Sequence, residues 1–376
     1  MKCKAAVLMT SGSQRPYTKS RPVNIEEVEL EQPRAGEVLV RIAGAGICHS
    51  DIAAVAGVRR LPMPLVLGHE CSGFIEDVGE GTQIVKKGDH VVLSYVPSCG
   101  RCVYCASGVP GLCDPGRRAN RQGILLSGGT RFQLKGKEIH HHLGVSAFSE
   151  YTVVPENSAI SVSKDVPIEE LALLGCAVLV GIGSVLNSAR LKAGSTAAVF
   201  GCGGVGLNVI QGAKLAGAKQ IIAVDVVESK LSMATSLGAT ETVNASALDA
   251  VDTIRKLTGG IGVDYSFEAV GNTEVMAQSF CATRNGGETI LVGITSPEDR
   301  LIVPSSWLVD EERKIKGSYM GSAVPRRDIP MLVDLYASGR IKIGEIVTRH
   351  LKLEQVNEGL EALAKGEVAR QIIDIG

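Results

Sequence analysis

The sequence lacks a net charge of either sign, because 39 lysines and arginines and 40 aspartates and glutamates leave a formal charge of −1. Apolar residues make up 45% of the 376 residues and charged residues 21%. This balance argues against a disordered chain and against an electrostatic nucleic-acid-binding protein. The length is sufficient for two domains with separate cores.

Long hydrophobic runs, internal repeats and linker-like tracts are also missing. The longest apolar stretch covers only residues 171–186, which is too short for a membrane span, and it contains three glycines. It therefore predicts a buried helix. Only five apolar residues follow the first four residues, which predicts no secretory signal. Because the ten cysteines occur without such a signal, we expect their thiols to be free or bound to metal. We therefore expect a cytoplasmic protein that binds no membrane.

The pattern of predicted elements divides the chain into three parts. Residues 1–178 contain short apolar or alternating runs at 38–42, 73–78 and 90–93, which predict a β-rich domain. Within it, residues 114–144 are polar and predict a long surface excursion. Strands alternate with helices in residues 179–320, which predicts a doubly wound parallel sheet. Residues 321–376 return to mixed β and α structure, so we expect the α/β segment to be inserted into the β-rich domain.

Cysteine is concentrated in a predicted lobe over residues 95–115. Four thiols lie within fifteen residues there, at Cys99, Cys102, Cys105 and Cys113. This is the ligand set of a closed tetrahedral zinc site, which has no open position and would hold a loop rather than carry out chemistry. The alternatives are four unrelated buried thiols or two disulfides.

A G-x-G-x-x-G pattern lies directly after a short apolar strand and opens a predicted helix. Its residues beside Cys202 are Gly201, Gly203, Gly204, Val205 and Gly206. In this context the glycines predict a tight turn that brings the backbone and a helix N-terminus to a pyrophosphate. The alternative is a glycine-rich turn of an α/β domain that binds no nucleotide.

An acidic residue, Asp225, ends the next predicted strand, 19 residues beyond Gly206. In dinucleotide-binding folds an acidic residue there accepts hydrogen bonds from the adenosine ribose. Its charge would repel a 2′-phosphate, which predicts NAD rather than NADP. Lys230 could also reach the ribose, and Val226 offers it no polar group.

Three separated segments supply a second candidate metal site. They read Gly46-Ile-Cys48-His49-Ser50-Asp51, Gly68-His69-Glu70 and Gly175-Cys176. Two cysteines and one histidine are a known catalytic zinc set that leaves the fourth position for water or substrate. Taken singly, Cys176 is more typical of a core thiol and His69 of a structural histidine, but their joint occurrence beside a dinucleotide fold favours the metal site.

Together these motifs resemble the medium-chain zinc-dependent alcohol dehydrogenases along essentially the whole chain, and the segment Gly366-Glu-Val-Ala-Arg370 adds to the likeness. Residues 127–151 resemble the long, mostly dimeric branch that includes liver-type and glutathione-dependent formaldehyde dehydrogenases. The resemblance implies a GroES-like β-rich catalytic domain and a Rossmann domain that binds NAD. It also implies two Zn²⁺ per chain, a small alcohol, aldehyde or ketone substrate, and a homodimer that pairs strands near residues 300–320, at 301–303 and 313–319.

The resemblance also implies roles for individual residues. Cys48, His69 and Cys176 would hold the catalytic zinc, with Asp51 orienting His69 and Glu70 close to the metal. Ser50 would hydrogen-bond the substrate oxygen and pass on its proton. The pyrophosphate would be contacted by His49 and Arg370, and the nicotinamide by Val205 and Val292.

Several positions differ from the family pattern. A relay histidine common in relatives is replaced by Ala53, so proton exit would need water or another route. The substrate pocket would contain Tyr95, His142 and Tyr319, although ordinary wall packing explains these residues equally well.

Three other functions are alternatives to that of an alcohol dehydrogenase. A glutathione-dependent formaldehyde dehydrogenase is favoured by Arg117 but not by the loop at residues 57–61, which offers no carboxylate for the glutathione ammonium. A zinc-free reductase of quinones or enones is the second, and retention of Cys48, His69 and Cys176 argues against it. A zinc-stabilised binding protein is the third.

Overall fold

The chain forms two compact units, and the computed structural model describes both over residues 1–376. The first unit comprises Met1–Cys176 and Val324–Gly376, and the second comprises Ala177–Ala323. The functional ranges inferred from the sequence, 1–178, 179–320 and 321–376, stay predictions. None of the helices combines the length and the hydropathy needed to cross a bilayer.

Strands dominate the N-terminal part of the first unit. They are β1 (Lys2–Leu8), β2 (Val23–Leu30), β3 (Glu37–Gly46), β4 (Leu65–Val66), β5 (Glu70–Val78), β6 (His90–Leu93), β7 (Phe132–Leu134), β8 (Lys137–His141), β9 (Tyr151–Pro155) and β10 (Ala159–Ser161). The helices between them are short: α1 (Tyr17–Ser20), α2 (His49–Val55), α3 (Val103–Ala106) and α4 (Asp114–Gln122).

The second unit alternates helix and strand. Its helices are α5 (Ala177–Gly183), α6 (Gly204–Leu215), α7 (Glu228–Leu237), α8 (Ala250–Leu257), α9 (Thr273–Ala282) and α10 (Ser306–Val309). Its strands are β11 (Thr196–Phe200), β12 (Gln220–Asp225), β13 (Glu241–Asn244), β14 (Val263–Glu268), β15 (Thr283–Leu291) and β16 (Lys314–Gly317). The chain then returns to the first unit with α11 (Pro325–Ala337), β17 (Val347–Leu351), α12 (Val356–Ala364) and β18 (Arg370–Asp374).

The sheet of the second unit confirms the doubly wound prediction. Its six strands are all parallel in the order β13-β12-β11-β14-β15-β16. Counted within the unit this order is 3-2-1-4-5-6, so the strand order reverses between β11 and β14. The central strand β11 reads as an apolar run because helices cover both faces of such a sheet. Ligands bind at the carboxyl ends of strands beside this reversal, where the turn after β11 lies.

The strands of the first unit pair mostly antiparallel, except that β4 pairs with β8 and β17 with β18 in parallel. β1, β2, β7, β8 and β4 close into a small barrel, and β10-β6-β5-β3-β18-β17 form a sheet to which β9 adds through β3. Val28, Phe132 and Ile139 pack in the barrel core. Burial of each such side chain stabilises the folded chain by about 1.5–3 kcal/mol. The predicted fold class, which combines a GroES-like β-rich part and a Rossmann-like part, is confirmed.

The prediction of a polar surface excursion over residues 114–144 is wrong. This segment supplies β7 and β8 to the barrel, and it buries the ion pair of Arg131 and Glu37, whose Nε and Oε2 atoms are 2.9 Å apart. Although burial opposes it, Arg131 and the Ser127 hydroxyl lower the pKa of Glu37. Paired charges can lie inside a protein, so composition alone misassigned the segment.

Two further expectations need correction. Residues 301–303 form no strand, and the side chain of Ile302 is 83% exposed beside Pro304. Residues 171–186 are largely buried as predicted, but they do not form one helix. A 3₁₀-helix at Glu170–Gly175 ends before Cys176, α5 begins after it, and a π-helix follows at Ser184–Ala189.

Candidate functional site

The four lobe cysteines converge within the first unit, with their sulfur atoms all within 4.8 Å of one another. Cys102 Sγ lies 3.5 Å from Cys105 Sγ, and no disulfide is formed. Two backbone amides point at sulfur, since Cys99 N–H donates to Cys113 Sγ and Cys102 N–H donates to Cys99 Sγ. Such donors stabilise thiolates, the form that binds metal. The donor set therefore fits a closed tetrahedral zinc ion.

A second cluster is formed by Cys48, His69, Glu70 and Cys176, whose ligand atoms also lie within 4.8 Å of one another. All four side chains are buried. Cys48 precedes α2, His69 lies directly before β5, and Glu70 begins that strand. Cys176 lies at the break between the 3₁₀-helix and α5. Three separate segments of the chain thus meet at one point.

Asp51 connects two of these elements. Its Oδ2 accepts a hydrogen bond from Cys48 N–H at 2.8 Å, and its Oδ1 lies 3.1 Å from His69 Nδ1. With Nδ1–H donating to the carboxylate, the free lone pair of His69 is on Nε2. That atom is buried and has no hydrogen-bond partner in the protein. An unpaired buried nitrogen beside two thiols fits the donor set of a catalytic zinc ion.

Burial and the neighbouring charges shift the pKa values of the groups in this cluster. Burial opposes the shift, yet the Asp51 carboxylate raises the pKa of His69 to about 10. The hydrogen-bonded Cys176 lowers the pKa of Cys48 despite burial, and Arg370 and His69 lower it further. Burial raises the pKa of Glu70 to about 7. Asp51 thus favours positive charge on His69, whereas Arg370 and His69 favour the thiolate of Cys48.

Arg370 lies beside this cluster and is buried. Its Nη2 is 3.6 Å from Glu70 Oε1 and 3.8 Å from Cys48 Sγ, and its Nη1 donates to the Ile47 carbonyl at 3.3 Å. The family resemblance predicts that Arg370 contacts the pyrophosphate. The structure shows in addition that it balances negative charge beside the predicted metal ligands.

The predicted pocket residues lie in both units. Tyr95 and His142 each place a ring edge-to-face with the His69 ring, at centroid distances of 5.4 and 5.5 Å. Tyr319 belongs to the second unit and is partly exposed. On α2, His49 is exposed, while Ser50 and Ala53 are partly exposed.

The glycine turn of the second unit has the geometry of a phosphate-binding turn. Gly201 has φ of +92°, and a Cβ at Gly206 would lie 1.7 Å from the Gly201 carbonyl oxygen. A Cβ at Gly203 would meet no atom within 4 Å, which leaves an open approach to the start of α6, where Gly204 and Val205 lie. The turn therefore fits a pyrophosphate at a helix N-terminus.

Asp225 lies at the carboxyl end of β12 and is partly exposed. Its Oδ2 accepts from Cys202 N–H at 2.7 Å, and its Oδ1 accepts from the amides of Val226 and Val227. The carboxylate is thus anchored to the glycine turn and keeps lone pairs for a ribose hydroxyl. Lys230 is partly exposed on α7, and Val292, just after β15, is 9% exposed.

Two families match the two parts of the chain. The alcohol dehydrogenase GroES-like domain matches residues 34–164, and the zinc-binding dehydrogenase family matches residues 204–338. A solved alcohol dehydrogenase zinc-binding domain protein from Burkholderia ambifaria is 36% identical, with a TM-score of 0.94 over 100% of this chain and 99% of that chain. Benzyl alcohol dehydrogenase from Acinetobacter calcoaceticus is 32% identical, with a TM-score of 0.93 over 100% of both chains.

The chain belongs to the zinc-type medium-chain alcohol dehydrogenase family. Members of this family are oxidoreductases, and so is this enzyme. A zinc-binding dehydrogenase from Sinorhizobium meliloti 1021 bound to NADP is 26% identical, with a TM-score of 0.81 over 100% of this chain and 99% of that chain. The family therefore does not by itself decide between the two nicotinamide cofactors.

The sequence analysis did not predict one contact near the metal cluster. His142 was interpreted only as a pocket residue, but its Nδ1 lies 3.3 Å from Asp51 Oδ1. The same carboxylate oxygen therefore faces two histidines. The run of three histidines at 140–142 was the available signal, although only the closed barrel shows that His142 is turned inward.

Proposed function

We propose that this chain is a zinc- and NAD-dependent alcohol dehydrogenase that interconverts an alcohol and its aldehyde or ketone. The observation that carries the proposal is the buried cluster of Cys48, His69 and Cys176, in which Asp51 engages one nitrogen of His69 and the other is unpaired. Two thiolates and one imidazole bind zinc in a known catalytic class with a fourth position for substrate. The four lobe cysteines would bind a second zinc ion.

When bound, zinc supplies Lewis acidity and NAD accepts a hydride. Asp51 fixes the orientation of His69, and Glu70 and Arg370 balance the buried charges beside it. The Ser50 hydroxyl has no hydrogen-bond partner within the protein, so it is available to the substrate hydroxyl. With Ala53 nearby offering no base, Ser50 would pass the proton to solvent. Tyr95 and His142, whose rings contact His69, would bound the substrate.

The cofactor would bind the second unit. Gly201, Gly203 and Gly206 would admit the pyrophosphate, Asp225 and Lys230 would contact the ribose, and Val205 and Val292 the nicotinamide. His49 and Arg370 would contact the pyrophosphate. The ten free thiols suit a reducing compartment such as the cytoplasm.

The test is a panel of primary, secondary, aryl and acidic alcohols, each measured with NAD and with NADP, together with S-hydroxymethylglutathione. We expect oxidation of simple alcohols with NAD. A preference for S-hydroxymethylglutathione would instead establish the glutathione-dependent alternative. No turnover of any alcohol by protein that contains two zinc ions per chain would refute the proposal.

Replacement of Asp225 by glycine should narrow the preference for NAD, because the ribose loses a charged hydrogen-bond acceptor. We expect kcat/KM with NAD to fall about tenfold or more, with a smaller change for NADP. Asp225→Asn is the matched control, since its amide oxygen can still accept from Cys202 N–H while the charge is lost. A native enzyme that uses NADP as efficiently as NAD would show that the ribose assignment is wrong.

A homodimer is predicted in solution through the edge of the six-stranded sheet. β16 is the last strand of this sheet and pairs only with β15, so its other edge is open. Exposed apolar side chains lie just before it, with Ile302 83% and Val309 80% exposed. Unpaired edges and apolar patches of this kind favour association.

Light scattering at micromolar concentration should therefore give the mass of two chains. Val309→Glu should shift the protein towards the monomer, because it places charge in the proposed interface. Ile261→Glu is the control, at another exposed apolar residue of the same unit. A monomeric native protein would contradict the prediction.

A further inference from the structure

The carboxyl ends of β11, β14 and β15 in the second unit meet at one buried carboxylate, that of Glu268. Glu268 ends β14, where it is in register with Phe200 at the end of β11 and with Leu291 at the end of β15. The strand order reverses between β11 and β14, so Glu268 lies at the edge where such sheets bind ligands. Glu268 is 0% exposed, and a carboxylate buried this deeply is retained only where its contacts compensate for the lost hydration.

One oxygen of this carboxylate holds the turn that follows β14. Oε1 accepts hydrogen bonds from the amides of Val270 at 2.9 Å, Gly271 at 2.7 Å and Asn272 at 3.4 Å. The turn also packs against the glycine turn after β11, since a Cβ at Gly201 would lie 2.6 Å from Val270 Cγ2. Loss of the carboxylate would leave the three amides without this acceptor.

The second oxygen faces the segment that follows β15. Oε2 of Glu268 is buried and has no hydrogen-bond partner. A Cβ at Gly293 would lie 2.7 Å from this oxygen and 2.2 Å from the amide nitrogen of Gly271. The backbone carbonyl of Glu268 also accepts from the amides of Val292 and Gly293, at 2.9 and 3.0 Å. Glu268 therefore joins the segment that contains Val292 to the turn after β14.

The two segments that Glu268 joins expose apolar side chains at this edge of the sheet. Val270 is 55% exposed, and Ile294 is 71% exposed. The segments touch, because a Cβ at Gly271 would lie 2.7 Å from the Ile294 carbonyl oxygen. Exposed apolar side chains around a few fixed polar groups are typical of a surface that a ligand covers.

We propose that Glu268 is a positioning residue, which holds the segments after β14 and β15 in the arrangement that receives the nicotinamide half of the cofactor. This half is the nicotinamide ring with its ribose. Glu268 acts through the two segments rather than by touching the cofactor, because protein covers its side chain completely. Segments that are ordered in advance lose less conformational freedom when the cofactor binds. The inference rests on the proposed function, since it assigns a role within that same cofactor site.

The experiment compares the binding of NADH and of ADP to the zinc-loaded enzyme by titration calorimetry. ADP contains the adenosine and the two phosphates, so it should use the glycine turn and Asp225 but not the nicotinamide site. The measured quantity is the dissociation constant of NADH divided by that of ADP. A general loss of structure weakens both ligands, whereas a displaced nicotinamide site raises their ratio.

We expect Glu268→Ala to raise this ratio about tenfold, because three amides lose their acceptor. Glu268→Gln keeps the shape of the side chain and an oxygen that can accept from the amides, so it should raise the ratio less, by about threefold. This second variant decides the test if the alanine variant does not fold.

Asp264→Asn is the matched control, because it alters a carboxylate near the opposite end of the same strand. Asp264 Oδ2 accepts from the amide and the hydroxyl of Thr196 at 2.7 and 2.9 Å. This variant should leave the ratio near its wild-type value, even where it lowers the melting temperature.

Two results would overturn the inference and leave the proposed function intact. One is unaltered binding of both ligands by the folded Glu268 variants. The other is an equal weakening of NADH and ADP in these variants, which would indicate a purely structural role. A wild-type enzyme that does not bind NADH would instead contradict the proposed cofactor, and the inference with it.

Discussion

Replacement of Cys176 by serine should abolish alcohol oxidation and lower the metal content from two zinc ions per chain to one. The physical reason is that this thiol is one of three ligands proposed for the catalytic metal, and a neutral hydroxyl replaces a thiolate poorly. The fold should survive, because the cluster is surrounded by well-packed strands and helices of the first unit. Metal analysis, turnover and circular dichroism of the same preparation check the three parts of the prediction.

Two further variants test whether the effect is specific to the proposed catalytic cluster. Cys102→Ser removes a ligand of the closed site and should also cost one zinc ion. Its main effect should be a lower melting temperature, because a closed metal site contributes folding free energy. Cys3→Ser changes a buried thiol of the barrel core that belongs to neither cluster, so it should keep both metal ions. A fully active native preparation with a single zinc ion per chain would contradict the assignment.

Replacement of Ser50 by alanine should lower turnover strongly, by about 10²–10⁴-fold, which is typical for loss of a group that moves a proton in the reaction. Ser50 is partly exposed at the start of α2, and its hydroxyl has no partner within the protein. The residue three positions on, Ala53, cannot relay the proton. The measurements are the pH dependence of turnover and the solvent isotope effect.

Three variants separate the possible proton routes. Ser50→Thr keeps a hydroxyl and should retain much of the activity that Ser50→Ala loses. Ala53→His should change the rate below neutral pH only modestly, because solvent already accepts the proton. His49 is the alternative relay, and loss of an ionisation from the pH profile of His49→Gln would move the role to that histidine. Undiminished turnover in Ser50→Ala would exclude the serine.

The regular parts of the fold were predictable because their signals are local. Strands β11 and β12 are short apolar runs, and the conformation of the glycine turn after β11 is limited sterically by its own backbone. The cysteine lobe is equally local, since its four ligands lie within fifteen residues and converge as predicted. In these cases the residues that determine the local structure lie close together in the sequence.

The parts that were wrong depend on partners far along the chain. The polar residues 114–144 become barrel strands because β7 pairs with β2 and β8 with β4, and because Arg131 meets Glu37. The interruption of the helix at Cys176 likewise could not be predicted from the hydrophobic pattern. Such a pattern indicates which residues are buried but not the backbone conformation.

The fold class and the residue types available for two metal clusters and one dinucleotide turn follow from the sequence alone. The tertiary structure shows which atoms meet. It brings Cys48, His69 and Cys176 together from distant segments and turns His142 towards Asp51. Local pattern encodes backbone conformation and burial, whereas hydrogen-bond partners and electrostatic environment exist only once remote segments have packed against one another.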